Sequence, residues 1–292
     1  MKYVSYLPVI LLLFFTACKP QSDSADAYGN FEAIEVIVSA ETSGKIITFL
    51  PGEGEQLLKD QVSVTIDTTQ LYLKKAALES GFSSLSSRIL TLDAQLRASK
   101  VQLNNLKRER ARIDKLVEGG AATTKQQDDI HGQVALLEAQ MAATASQKDA
   151  VYAERKTLEV QISQVEDQLE RCTVRNPMDG TLLTKYKEQG ELAAPGQPLF
   201  KMADMEELIL RAYVSGDQLS SVKTGETVTV KFDAAQGMEE TTGLVSWVSP
   251  RAEFTPKIIQ TREERVNLVY AIKVVVSNDG SLKIGMPGEV VF

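Results

Sequence analysis

From Leu78 onward the apolar positions of this chain step alternately by four and three residues. Leu78, Phe82, Leu85, Ile89, Leu92, Leu96, Leu103, Leu106, Ile113 and Val117 follow the pattern, with Ser99 and Arg110 as polar exceptions. After "EGGAATT" the same stepping resumes at Ile130 and continues through Val134, Leu137, Met141, Val151, Leu158, Ile162, Val165, Leu169 and Cys172. Thr144, Lys148 and Arg155 interrupt it. A 4-3 repeat of this length predicts a coiled coil rather than a globular helix. Gly119 and Gly120 end the first arm and let the chain reverse, so the arms pair antiparallel. Arms of about 50 residues would make a rod of roughly 75 Å. Asp67 with Gln70, and Thr124 with Gln127, have the spacing of capping boxes. Ser99 and Thr144 would meet in one polar layer. The first arm's base, "ESGFSSLSSR", is rich in poor helix formers and is expected to bend or fray.

On either side of the hairpin the period falls to two. "SGKIITFLPGEGEQLLKDQ" from Ser43 to Gln61 matches "DGTLLTKYKEQGELAAPGQ" from Asp179 to Gln197, position by position. Gly44 falls on Gly180, Gly54 on Gly190, Glu55 on Glu191 and Gln61 on Gln197. Each copy reads as strands broken by glycine turns, and neither is long enough to bury a core alone. Together they predict one β-sandwich of two quasi-symmetric halves, split by the hairpin.

The N-terminus adds a location. An apolar run from Leu7 to Phe15 follows Lys2 and precedes Thr16-Ala17-Cys18. The run has the size of a signal-peptide core and is too short to span a bilayer. Small residues before a cysteine resemble the bacterial lipobox, in which Cys18 becomes the lipidated first residue. Phe15 departs from that pattern, and a plain secretory signal is the alternative. The polar stretch "KPQSDSADAYGN" reads as a flexible tether. Cys172 is the only other cysteine and reads as a small buried hydrophobe.

A split sandwich with a hairpin at its tip resembles the HlyD-type membrane fusion proteins, also called periplasmic adaptor proteins. "VRNPMDGTLLTKYKEQGELAAPGQPLFKMAD" is similar to the family's second lipoyl-like half. "LILRAYVSGDQLSSVKTGETVTVKFDA" and "LKIGMPGEVVF" are similar to the opening and closing strands of its barrel. "SPRAEFTPKIIQTREERVNLVYAIKVVV" resembles a segment of adaptors that serve ABC-type exporters. The resemblance implies an α+β multidomain fold: a split lipoyl-like β-sandwich with an inserted antiparallel coiled-coil hairpin, followed by a β-barrel domain. The expected divisions are a signal peptide over 1–17, a lipidated tether over 18–30 and a first lipoyl-like half over 31–66. The hairpin follows over 67–172, the second half over 173–204 and the barrel over 205–292.

The resemblance also implies a function. The chain would bridge an inner-membrane exporter, of the ABC type, to a TolC-like outer-membrane channel, as one copy of a ring, commonly of six. It would sit in the periplasm of a Gram-negative bacterium, lipid-anchored to the inner membrane. Family members that dock on such channels carry an Arg, a Leu four residues later and a Ser seven after that. Here the spacing falls on Arg112, Leu116 and Thr123 at the hairpin tip. The plain reading of the same residues is a solvated arginine, a packing leucine and a helix cap. Two other functions stay open: an adaptor for a proton-driven pump, and a coiled-coil envelope lipoprotein that conducts nothing.

Composition argues against other classes. The net charge of -7 gives no basic face for nucleic acid. His131 is the only histidine, too few for a histidine triad or a zinc site with Cys172. No phosphate-loop motif occurs, and the acidic "GEGE" turn at Gly52–Glu55 would repel an anion. A biotinyl or lipoyl carrier needs its lysine in the turn between halves, which the hairpin replaces; Lys201-Met202 lies elsewhere. No enzyme activity, cofactor or metal is expected.

Overall fold

The period-two segments pair into three sheets in a computed structural model, which describes residues 25–234, 237–254 and 268–292. Cys18 lies outside these residues, as does part of the "AEFTPK" segment. The strands in chain order begin with β1 (Ala27–Glu32), β2 (Glu35–Ser39), β3 (Gly44–Phe49), β4 (Gln56–Leu57) and β5 (Val62–Ile66). Helices α1 (Thr69–Glu118) and α2 (Thr124–Glu170) come next. After them come β6 (Thr173–Arg175), β7 (Gly180–Lys185), β8 (Leu192–Ala193) and β9 (Pro198–Ala203). The chain closes with β10 (Glu207–Ser215), β11 (Thr227–Ala234), β12 (Gly237–Val248), β13 (Glu253–Phe254), β14 (Leu268–Ser277) and β15 (Pro287–Val291). It divides into two units, one of Glu35–Ala203 and the other of the residues up to Ile34 with Asp204–Phe292.

In the first unit the repeat becomes a quasi-twofold sandwich. One sheet runs β6-β5-β3-β8 and the other β2-β9-β7-β4. Each sheet takes its two inner strands from one copy of the repeat and its two edges from the other, so neither copy forms a sheet alone. The hydrogen bonds repeat with the sequence. Gly54 N–H donates to Leu182 O at 2.8 Å, and Gly190 N–H donates to Ile46 O at 2.9 Å. Leu182 and Ile46 are equivalent positions, and both are fully buried. Gly54 and Gly190 have φ of 83° and 94°, a left-handed conformation that side chains disfavour. Gly44 faces Ala193 as Gly180 faces Leu57. A Cβ on Gly44 would fall 2.6 Å from Ile66 Cγ2.

The matched polar residues close the matched turns. Glu55 accepts from Gly52 N–H at 2.9 Å, and Glu191 from Glu188 N–H at 3.1 Å. Gln61 accepts from Leu58 N–H at 3.0 Å, and Gln197 from Ala194 N–H at 3.2 Å. These residues agree between copies because each turn needs an acceptor for the same orphan N–H.

The second unit is a closed barrel. Its order is β10-β1-β15-β11-β12-β14, with β10 pairing β14 to close the ring and β13 added beside β14. Inward residues such as Phe31, Leu210, Val230, Val274 and Val290 form its core. Phe31 and Phe232 meet edge to face at 6.5 Å. β1 corrects the expected divisions. Residues 27–30 are not part of a tether, and Phe31 is not part of the sandwich. Tyr28 to Glu32 pair with β10, and Ala27 to Asn30 pair with β15. Ala27 and Phe31 are both fully buried, and that burial holds the segment in the barrel.

The two sandwich halves differ at one buried pair. Ser63 Oγ donates to Asn176 Oδ1 at 2.5 Å, and Asn176 Nδ2 donates to Leu58 O at 3.0 Å. The equivalent positions in the sister half are Leu199 and Ala40, both buried and apolar. Asn176→Ala alone strands the Ser63 hydroxyl and should cost about 1–3 kcal/mol. Adding Ser63→Leu copies the sister half and should recover part of that loss. Denaturant unfolding of the single and double variants checks this, and a double variant weaker than the single one would contradict it.

Candidate docking site at the hairpin tip

Every expected seam position on both arms is buried or half-buried. Lys148 and Arg155, two of the polar interruptions, have partners, and further ion pairs flank the seam. Lys148 Nζ lies 2.7 Å from Asp93 Oδ1 across the arms. Arg155 stacks 5.5 Å from the Phe82 ring and 5.1 Å from Tyr152. Lys75 reaches Glu166 at 2.9 Å, and Lys107 reaches Glu138 at 2.7 Å. Ser99 and Thr144 fall between the 93–148 and 107–138 pairs. Thr144 gives its hydroxyl to Gln140 O of its own helix at 3.0 Å, so the ionic pairs mark the register more firmly than that layer does.

The base of α1, where bending or fraying was expected, is continuous helix from Thr69 onward. Ser86 and Ser87 donate to the carbonyls of Phe82 and Ser83, one turn back. Gly81 allows Leu158 to pack closely, since a Cβ there would sit 3.2 Å from Leu158 Cδ1.

At the tip, Gly120 N–H donates to Val117 O at 3.0 Å and Ala121 N–H to Leu116 O at 2.7 Å. With Gly120 at φ 73°, this is a Schellman closure of α1. α2 then starts with a capping box one residue earlier than the spacing suggested. Thr123 Oγ1 accepts from Gln126 N–H at 3.3 Å, and Gln126 Oε1 accepts from Thr123 N–H at 2.9 Å. Gln127 instead faces α1 and donates to Asp114 Oδ1 at 2.9 Å. The other expected box also differs. Thr68 occupies the N-cap position of α1 without a side-chain bond, and Asp67 accepts from the N–H and hydroxyl of Thr69.

Arg112 and Leu116 share one exposed face of α1, four residues apart. Arg112 is 69% exposed and touches Glu109 of its own helix at 2.5 Å. Leu116 is 39% exposed. Thr123 lies beyond the turn, and its hydroxyl is already engaged in the cap. The arrangement offers a guanidinium fork and an apolar side chain to a partner, with Thr123 holding the turn.

A fastener with no periodic signal in the sequence lies beside this face. Asp114 also receives His131 Nε2 at 3.0 Å, so one carboxylate ties two residues of α2 to α1. The hydrogen bonds from Gln127 and His131 hold the Asp114 carboxyl below its ordinary value of 3.8. Lys107 likewise lowers Glu138, while Glu166 raises Lys75 and Asp93 raises Lys148. Among the described residues no cluster of His, Cys, Asp and Glu is placed to hold a metal ion, and no helix is long and apolar enough to cross a membrane.

Solved structures share this fold across nearly the whole chain. The periplasmic adaptor protein EmrA aligns over 92% of this chain and 97% of its own, with TM-score 0.54 and 16% identity. MacA from Actinobacillus actinomycetemcomitans aligns over 91% and 78%, with TM-score 0.57 and 21% identity. The chain has the periplasmic adaptor fold. No family model matches the sequence of this adaptor-fold chain. A UPF0194 membrane protein of Citrobacter koseri is 35% identical over 130 residues, 44% of this chain and 39% of that protein. The matched stretches span 39% of that protein's length and 33% of that of a second relative, a UPF0194 membrane protein of Acidithiobacillus ferridurans.

The cross-arm pairs give a pH signature with opposite signs at the two ends. Depressed carboxyl values contribute stability above the ordinary carboxylate range, and it is lost as pH falls through them. Raised lysine values contribute stability below the ordinary 10.5, and it is lost as pH rises through them. Helix melting followed by circular dichroism should therefore be flat around neutrality and fall modestly at both extremes, since exposed pairs are weak. Asp114→Asn should shrink the acid limb only; an unchanged acid limb would contradict the fastener.

Proposed function

We propose that this chain is the adaptor subunit of a tripartite export system in a Gram-negative cell envelope, joining an inner-membrane exporter of the ABC type to an outer-membrane channel. The observation that carries this reading is the tip. A long, stiffened hairpin ends in a tight turn that leaves Arg112 and Leu116 on one open face. The adaptor fold supports it, and so does the lipobox-like Thr16-Ala17-Cys18, through which acyl chains would hold the base at the inner membrane. The role is architectural: the chain spans a gap and transfers no chemical group. A single tip contact is small, so several copies in a ring, of six in this reading, must act together.

The engagement of Thr123 in its own cap favours a narrower docking set than the three-residue spacing suggests, namely Arg112 and Leu116. It is also the observation that favours the non-conducting lipoprotein, in which the tip is only a turn. Arg112→Asp separates the two. The position is exposed and outside the seam, so helicity and membrane attachment should persist. Export in a deletion strain complemented with this variant should fall to the level of the deletion. Wild-type export would favour the lipoprotein reading. Anchoring has its own check: Cys18→Ser should abolish acyl labelling and release the chain from membranes, and continued labelling would contradict it.

A further inference from the structure

Trp247 is the only tryptophan of the chain, and it points outward. β12 alternates from Thr241 to Val245, which is fully buried. The register then shifts between Val245 and Trp247. A regular strand would place Trp247 on the same inward face as Val245. The bulge turns it out instead, 38% exposed, a known use of this irregularity. There it lies opposite Lys273, whose Nζ is 5.6 Å from the indole. Lys273 lies opposite Arg211 on β10. The Arg211 guanidinium is 6.0 Å from the Tyr213 ring, and Tyr213 lies opposite Tyr28 on β1, 55% exposed. Two adjacent cross-strand rows thus place three aromatic rings and two cations on one outer face of the barrel, with the Glu289 carboxylate opposite Tyr28. Arg211 Nη2 donates to Glu253 at 3.2 Å at the margin, while its Nε is buried without a partner among the described residues.

This face lies toward the end of the barrel where β1 begins and β10 finishes. Fully extended, the chain from Cys18 to Ala27 reaches at most about 30 Å. Amphipathic rings beside cations have the chemistry of a membrane–water interface, where polar ring edges sit among headgroups and cations meet lipid phosphates. We propose that the face formed by Tyr28, Arg211, Tyr213, Trp247 and Lys273 seats against anionic phospholipid headgroups of the bilayer that holds the N-terminus. The proposal rests on the lipid anchoring of Cys18. It adds a second, reversible contact that fixes how the barrel stands on the membrane.

The sole tryptophan is the probe. The full lipidated chain is mixed with vesicles of phosphatidylethanolamine and phosphatidylglycerol, with and without brominated acyl chains. Flotation reports the anchor, and Trp247 emission reports the face. Expected are co-flotation, a blue shift, and loss of most of the emission with brominated lipid. High salt should reduce the quenching, and Lys273→Glu or Tyr28→Ser should weaken it while circular dichroism and flotation stay unchanged. A chain that floats with unshifted emission, still fully open to iodide, would overturn the face and leave the anchor standing. A chain that does not float but is quenched at high vesicle concentration would overturn the anchor and keep the face. Quenching indifferent to salt and to both variants would also overturn the proposed chemistry.

Discussion

The hairpin depends on the short ladder between β5 and β6. Val64 pairs Val174, Thr65 pairs Thr173, and Ile66 N–H donates to Cys172 O at 2.8 Å. The ladder holds the start of α1 and the end of α2 about one strand spacing apart, near 4.8 Å. β6 belongs to the second copy of the repeat yet sits in the sheet built on the first, so the ladder exists only when the copies exchange edges. The sandwich therefore cannot form without also setting the base of the rod. Arg171 extends the grip, binding Asp167 of α2 at 2.9 Å and Glu41 of the β2–β3 connection. Cys172 Sγ, buried here, rests 3.3 Å from Gln168 O.

A 4-3 seam alone does not choose a register, because sliding one arm by seven residues restores the apolar contacts. Ion pairs along the seam select among these alignments. Lys75 with Glu166, Asp93 with Lys148 and Lys107 with Glu138 are spaced along the rod, and a slip would break all three. Asp114 adds a fourth tie next to the turn. The exposed pairs contribute little energy singly, but they penalise the wrong alignments together, and they bring Arg112 and Leu116 to the end of a stiff element.

The parts most legible in the sequence were those with a long or repeated signal. The seam was readable because its apolar residues recur over two whole arms, and the sandwich because Glu55, Gln61 and the turn glycines recur in a second copy. β1 was not readable as a barrel strand: its inward positions, Ala27, Gly29 and Phe31, give only one large apolar side chain. The cap of α2 was misplaced by one residue because Thr123 and Thr124 each have a glutamine three residues on, and only the direction of Gln127 toward Asp114 separates them. The outward turn of Trp247 depends on a bulge, which alternation cannot reveal. At the tip, the sequence showed which residues lie there, but not that the Thr123 hydroxyl is consumed by the cap.

These constraints bear on the central proposal, that the Arg112–Leu116 face meets a partner beyond the reach of the sandwich. The most direct test is a photo-reactive amino acid at Leu116 in living cells, with a matched probe at Gln95, exposed at mid-hairpin, as the control. The account predicts an adduct with an outer-membrane channel from position 116 and none from position 95. Adducts from both positions alike, or from 116 only to other copies of this chain, would contradict it.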